Sequence, residues 1–172
     1  METRAFKLVG HSALRMVGVH QRFAEGAQSE IWQMWAALPP EQFQQLLAVP
    51  HGDPHFSGPI GVTVTPCETL PGSGADQTGF EYWIATSLAD DAEAPPGMDT
   101  LDIPAGRWAV FDVIGAMPTN LQATFAMVYG KPDWFAANGL RRDPARPDLE
   151  WYSEADTNAD DYHSQVWIPV QP

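Results

Sequence analysis

Apolar and polar positions along the chain change period several times, and each change marks an element. Residues 5–20 carry alternating and β-branched stretches, Phe6-Lys7-Leu8-Val9 and Arg15-Met16-Val17-Gly18-Val19, which predict a long or bent opening strand. A helix follows: Ser29 suits a cap, and Ile31, Trp35 and Leu38 recur at i, i+4 and i+7 until Pro39-Pro40 ends the pattern, with a short second helix restarting at Pro40. Residues 49–59, rich in Pro, His and Gly, read as loop, and 60–65 alternate as a strand. A turn at Pro71-Gly72-Ser73-Gly74 leads to an aromatic-dense strand over 79–88 that pairs with the one before it. An acidic connection over 90–97 precedes a strand at 107–114.

The order then repeats. Pro118 stands where a first helical residue would, and Leu121, Phe125 and Val128 keep helical spacing up to Gly130. A connection over 131–147 holds Trp134, and strands at 149–154 and 164–170 close the chain around a polar loop at 156–161. Strand, helix, strand, strand, written twice, predicts an α+β fold: a tandem β-α-β-β repeat with pseudo-twofold symmetry, a mostly antiparallel sheet and helices on one side. The other side, or the seam between the halves, is left free to form a ligand groove. At 172 residues, a single domain over 1–172 is expected.

Composition narrows the classes. An apolar fraction of 44% suits a globular chain, and no apolar run is long enough to span a bilayer. Met1-Glu2-Thr3-Arg4 lacks the basic stretch and apolar run of a secretory signal, so a cytoplasmic location is expected. The lone cysteine, Cys67, cannot form an internal disulfide and agrees with a reducing compartment. Twenty-two acidic against nine basic residues give a formal charge of -13, which repels polyanions and argues against direct nucleic-acid binding. The only basic cluster is Arg141, Arg142 and Arg146. Such acidity either serves solubility alone or sets up a field that favours cationic ligands.

Seven Trp residues are many for core packing alone. Trp35 lies on an apolar helical stripe and reads as core, whereas Trp83, Trp108, Trp134, Trp151 and Trp167 fall on strands or connections, where core and cavity are both open. Asp148-Leu149-Glu150-Trp151-Tyr152 is the most informative segment. Strand alternation puts Glu150 and Tyr152 on one face between apolar neighbours, so the carboxylate is at least partly buried, and then hydrogen-bonded, protonated or waiting for a cation; the alternative is an exposed glutamate at a sheet edge. Asp156-Thr157-Asn158-Ala159-Asp160-Asp161 begins like a calcium loop but has Asp161 in place of the turn glycine and Trp167 where the bidentate Glu belongs, so it reads as a solvated hairpin loop. Gly52 and Pro54 break any helical His51, Asp53, His55 metal site, and His11, His20 and His163 lack ligand spacing. Neither a metal nor a cofactor is expected.

From Ile103 onward three pieces carry a family resemblance. Ile103-Pro104-Ala105-Gly106-Arg107-Trp108-Ala109-Val110-Phe111, the helix with Trp134 and Asn138-Gly139, and Asp148-Leu149-Glu150-Trp151-Tyr152 resemble, in order and spacing, motifs of the GyrI-like small-molecule-binding family, which includes effector-binding domains of AraC-type and MerR-type multidrug regulators. Residues 80–88 resemble that family's preceding strand. The resemblance implies paired β-α-β-β units and an aromatic groove with a central glutamate that meets cationic aromatic drugs. By position Glu150 is that glutamate, with Tyr82, Trp108, Phe111, Trp134 and Tyr152 as the wall. Trp108 stands where the family usually has Tyr, and the first seventy residues match only in element order. No DNA-binding helix-turn-helix precedes the domain, so a stand-alone member is expected. Such members bind and sequester drugs or toxins, act as gyrase-inhibitor-like interaction proteins, or hydrolyse the cyclopropane of DNA-alkylating natural products. In an enzyme of that last kind Glu150 would guide water, and Tyr82 or Tyr152 would orient it.

Overall fold

The computed structural model describes residues 5–64 and 79–171, so Cys67 and the expected turn at Pro71-Gly72-Ser73-Gly74 lie outside the described residues. The chain is α+β, and it divides into two compact units. An early unit comprises Ala13–Pro104 with Ala145–Pro147, and a late unit comprises Met1–Ser12, Ala105–Pro144 and Asp148–Pro172.

In the early unit, β2 (Leu14–Phe23) is followed by a 3-10 turn (Ala27–Glu30), α1 (Ile31–Ala37), α2 (Pro40–Ala48), β3 (Ile60–Val64), β4 (Phe80–Ser87) and β5 (Asp99–Ile103). All three pairings are antiparallel: β3 on β4, β4 on β2 and β2 on β5. The late unit begins with β1 (Lys7–His11) and continues with β6 (Gly106–Ile114), α3 (Thr119–Tyr129), α4 (Trp134–Ala137), β7 (Arg141–Arg142), β8 (Asp148–Tyr152) and β9 (His163–Gln171). There β6 lies between β1 and β9, and β9 also pairs with β8 and β7, again all antiparallel. Each unit thus contains the strand, helix, strand, strand order that the periodicity predicts.

Three local differences have physical causes. The opening strand is two strands, because residues 7–11 pair with β6 while residues from Leu14 on pair with β4 and β5. β5 replaces what reads as connection: Asp99, Thr100 and Asp102 are exposed and hide an edge strand that only backbone pairing with β2 creates. Ser29 falls within the 3-10 turn, Glu30 occupies the cap of α1, and no side chain bonds there. By contrast Pro40 opens α2 and Gly130 ends α3, as their fixed φ and small size favour.

Both units cover one sheet face with helices. The early core joins Val17 of β2 and Phe80, Tyr82 and Ile84 of β4 to Leu46 of α2, with Met34 and Trp35 of α1 packed against it. The late core joins Ala109, Phe111 and Val113 of β6 and Val166, Ile168 and Val170 of β9 to Leu121, Met127 and Val128 of α3 and Trp134 of α4. Alternating residues on each strand supply these faces.

A polar triad around the buried Asp148 fastens the start of β8. The Tyr129 hydroxyl, at the end of α3, reaches the two Asp148 carboxylate oxygens at 2.8 and 2.9 Å, and Arg142 Nε donates to Tyr129 Oη at 2.9 Å. The Arg142 guanidinium also lies 3.4 Å from Asp148 Oδ1. Burial pushes the Asp148 carboxyl and the Tyr129 phenol upward, the former against the pull of Arg142. Burial works to lower the Arg142 guanidinium, yet Asp148 and Tyr129 together hold it above its ordinary value.

Two stability outcomes follow from these contacts. A Cβ at Gly18 would lie 2.0 Å from the Ile84 carbonyl oxygen across the β2–β4 pair, so Gly18→Ala is expected to cost at least about 2 kcal/mol in urea denaturation. Tyr129→Phe removes a donor from the buried Asp148 and is expected to cost about 1–3 kcal/mol by the same measurement.

Candidate functional site

The chemistry of the late unit concentrates on β8. In the antiparallel register Glu150 opposes Val166 and Tyr152 opposes Ser164, and directly opposed residues share a sheet face. Val166 belongs to the core under α3 and α4, so Glu150 and Tyr152 stand on the helix-covered side with Asp148, two residues earlier. Glu150 is only 8% exposed, and Tyr152 packs half-buried against that core. The Tyr152 hydroxyl donates to Glu150 Oε2. A phenol O–H donated to a carboxylate oxygen fixes that oxygen's direction, and Asp148 on the same face has Arg142 beside it.

Two further buried polar atoms lie in this unit. Ser164 Oγ, on the strand opposite Tyr152, and Trp134 Nε1 find no hydrogen-bond partner among the described residues. A buried hydroxyl and an indole N–H without partners are unusual, and they leave hydrogen-bonding capacity to an incoming group or a water molecule.

The residues expected at the site separate into three groups. Phe111 and Trp134 lie on the same covered face as Glu150, but as packed rings: their centroids are 5.7 Å apart, and Phe6 is 5.5 Å from each. Trp108 is on the opposite face, since it is an odd number of residues from Phe111, and it meets Trp167 edge-on at 5.9 Å. Tyr82 belongs to the early unit, where it is fully buried and its hydroxyl accepts a hydrogen bond from Trp35 Nε1 at 3.0 Å. Glu150, Tyr152, Phe111 and Trp134 therefore share one face of one unit, while Trp108 does not.

The sequence reading passed over Asp148, Tyr129, Arg142 and Ser164. Alternation already places Asp148 on the face of Glu150, so that residue was within reach. Tyr129 and Arg142 join it through the packing of α3 and β7, for which no spacing rule exists.

Among the described residues no group of three or more His, Cys, Asp or Glu side chains is arranged to hold a metal ion. His51 instead contacts the Ser87 and Leu47 carbonyls, and Asp53 Oδ1 accepts the His55 backbone N–H. Asp156 Oδ1 likewise accepts the Asn158 backbone N–H, closing a local turn. No helix of the described residues is long and apolar enough to cross a membrane.

Comparison with solved structures gives close matches in fold. The structure of SAV2435 bound to tetraphenylphosphonium superposes with a TM-score of 0.79 at 21% identity, covering 97% of this chain and 94% of that one. A putative bacterial transcription regulation protein from Staphylococcus aureus MU50 gives 0.75 at 23% identity, covering 99% and 100%. A hydrolase encoded by lin2189 from Listeria innocua gives 0.50 at 11% identity, covering 98% and 92%. No curated protein matches the chain. Residues 6–171, spanning the strands and helices of both units, match the GyrI-like small molecule binding domain, and the chain belongs to that family.

Proposed function

We propose that this chain binds aromatic, positively charged small molecules, with the Glu150 carboxylate as the polar anchor. The observation that carries this reading is the burial of Glu150 on a helix-covered face with Tyr152 donating to one oxygen. Poor hydration raises the attraction of that carboxylate for a cation, because the competing water shell is thin. The half-buried Tyr152 ring on the same face offers stacking and cation–π contact, which depend on a diffuse positive charge rather than on one exact shape. The net charge of -13 raises the local concentration of cations. Tetraphenylphosphonium, the ligand bound to the structurally similar SAV2435, has this chemistry: four aryl rings around a permanent charge.

The Glu150–Tyr152 pair also favours a second reading, hydrolysis of an electrophilic three-membered ring at the same place, and a hydrolase is among the structures of similar fold. In that reaction the carboxylate accepts a proton from water as the water oxygen bonds the ring carbon, the strained carbon–carbon bond breaks with its electrons passing to the substrate's conjugated carbonyl, which the phenol orients, and the carboxylic acid returns the proton to the product.

One substitution tests both. Glu150→Gln keeps the shape and removes the charge, and it is expected to weaken tetraphenylphosphonium binding at least about tenfold, read by quenching of tryptophan fluorescence. If affinity is unchanged, Glu150 is not the anchor. For the hydrolase, ring-opened product seen by mass spectrometry with the wild type is expected to vanish in the same variant, and product that persists removes the mechanism.

A further inference from the structure

The first helices of the early unit do not finish burying their apolar side chains. No residue of α1 is buried, and Trp32 on it is 64% exposed. On α2, Phe43 and Leu47, four residues apart and so on one stripe, are 38% and 39% exposed. Large exposed aromatics in a folded unit mark surfaces that meet something.

Charge decides what that is. No Lys or Arg occurs anywhere from Phe23 to Gly106, and the early unit as a whole has three arginines against twelve carboxylates, a net charge of -9. The exposed carboxylates of Glu25, Glu30 and Glu41 lie just before α1 or in the first turn of α2. A second copy of the chain would bring the same negative unit against itself, and anionic lipid or nucleic acid would be repelled for the same reason. Exposed apolar side chains on two helices that begin at Glu30 and near Glu41, in a unit that has no lysine, complement one kind of chain: a helix apolar on one side and basic on the other.

We propose that the α1–α2 surface of the early unit docks a basic amphipathic protein segment. Its apolar side chains cover Trp32, Phe43 and Leu47, and its lysines or arginines face Glu30 and Glu41. Nothing in this proposal depends on Glu150 or on ligand binding in the late unit.

The test uses the full chain and a synthetic helical peptide of about 18 residues, with leucines at i, i+3, i+4 and i+7 and lysines elsewhere. Binding is followed by calorimetry and by the Trp32 indole N–H resonance, assigned from its loss in Trp32→Phe. The peptide is expected to shift that resonance, to bind about tenfold or more weakly to Trp32→Ala and to a Glu30→Lys/Glu41→Lys variant, and to lose affinity as salt rises. Both variants alter exposed positions, and their thermal melts verify that they fold. Four results would overturn the proposal: no binding, equal affinity for Trp32→Ala, equal binding of a peptide with glutamates in place of lysines, or a Trp32-dependent dimer in sedimentation velocity, which would give the surface to a second copy.

Discussion

A carboxylate placed on the covered face of a sheet is the constraint around which the late unit is organised. Removing a charged group from water costs several kcal/mol unless hydrogen bonds or opposite charge replace the lost hydration. β8 carries two such groups on one face, Asp148 and Glu150, and they are treated differently. Asp148 has Tyr129 and Arg142, a closed arrangement that ties α3 and β7 to the strand. Glu150 takes a hydrogen bond from the phenol two residues along its own strand, which orients the carboxylate. The first is built as a fastening.

The same rule explains why rigidity matters on the surrounding strands. β9 is paired on both sides, by β6 and β8, and Val166 between Phe111 and Glu150 keeps the carboxylate in register with the apolar core. Phe6, Phe111 and Trp134 close into a ring cluster beside it. A carboxylate on a strand paired to so firmly held a neighbour, over a packed floor, has little freedom to swing out to water, so its poor hydration persists.

Negative charge is spread unevenly over the two units. The early unit carries -9 of the total -13, although the buried carboxylates that stand out chemically belong to the late unit. Surface charge and buried charge thus do different work: the first sets a field felt at a distance, and the second offers a specific contact. An exposed Trp32 in the more acidic unit adds a third kind of feature, a large apolar side chain left in water.

Much of this was legible in the amino-acid order. Periodicities of two and of 3.6 marked most of the strands and helices, the twofold strand, helix, strand, strand order, and the pairing of Glu150 with Tyr152 on one face, because these depend only on how successive side chains project from a local backbone. The same parity argument would have separated Trp108 from Phe111, since an odd spacing on a strand sends them to opposite faces. What tertiary structure alone decided were relations between distant segments: that residues 7–11 pair with β6, that exposed Asp99 and Asp102 belong to an edge strand, that Tyr82 is packed beneath Trp35, and that Arg142 and Tyr129 meet at Asp148. Those contacts depend on which surfaces fold onto one another, and no local period encodes that choice.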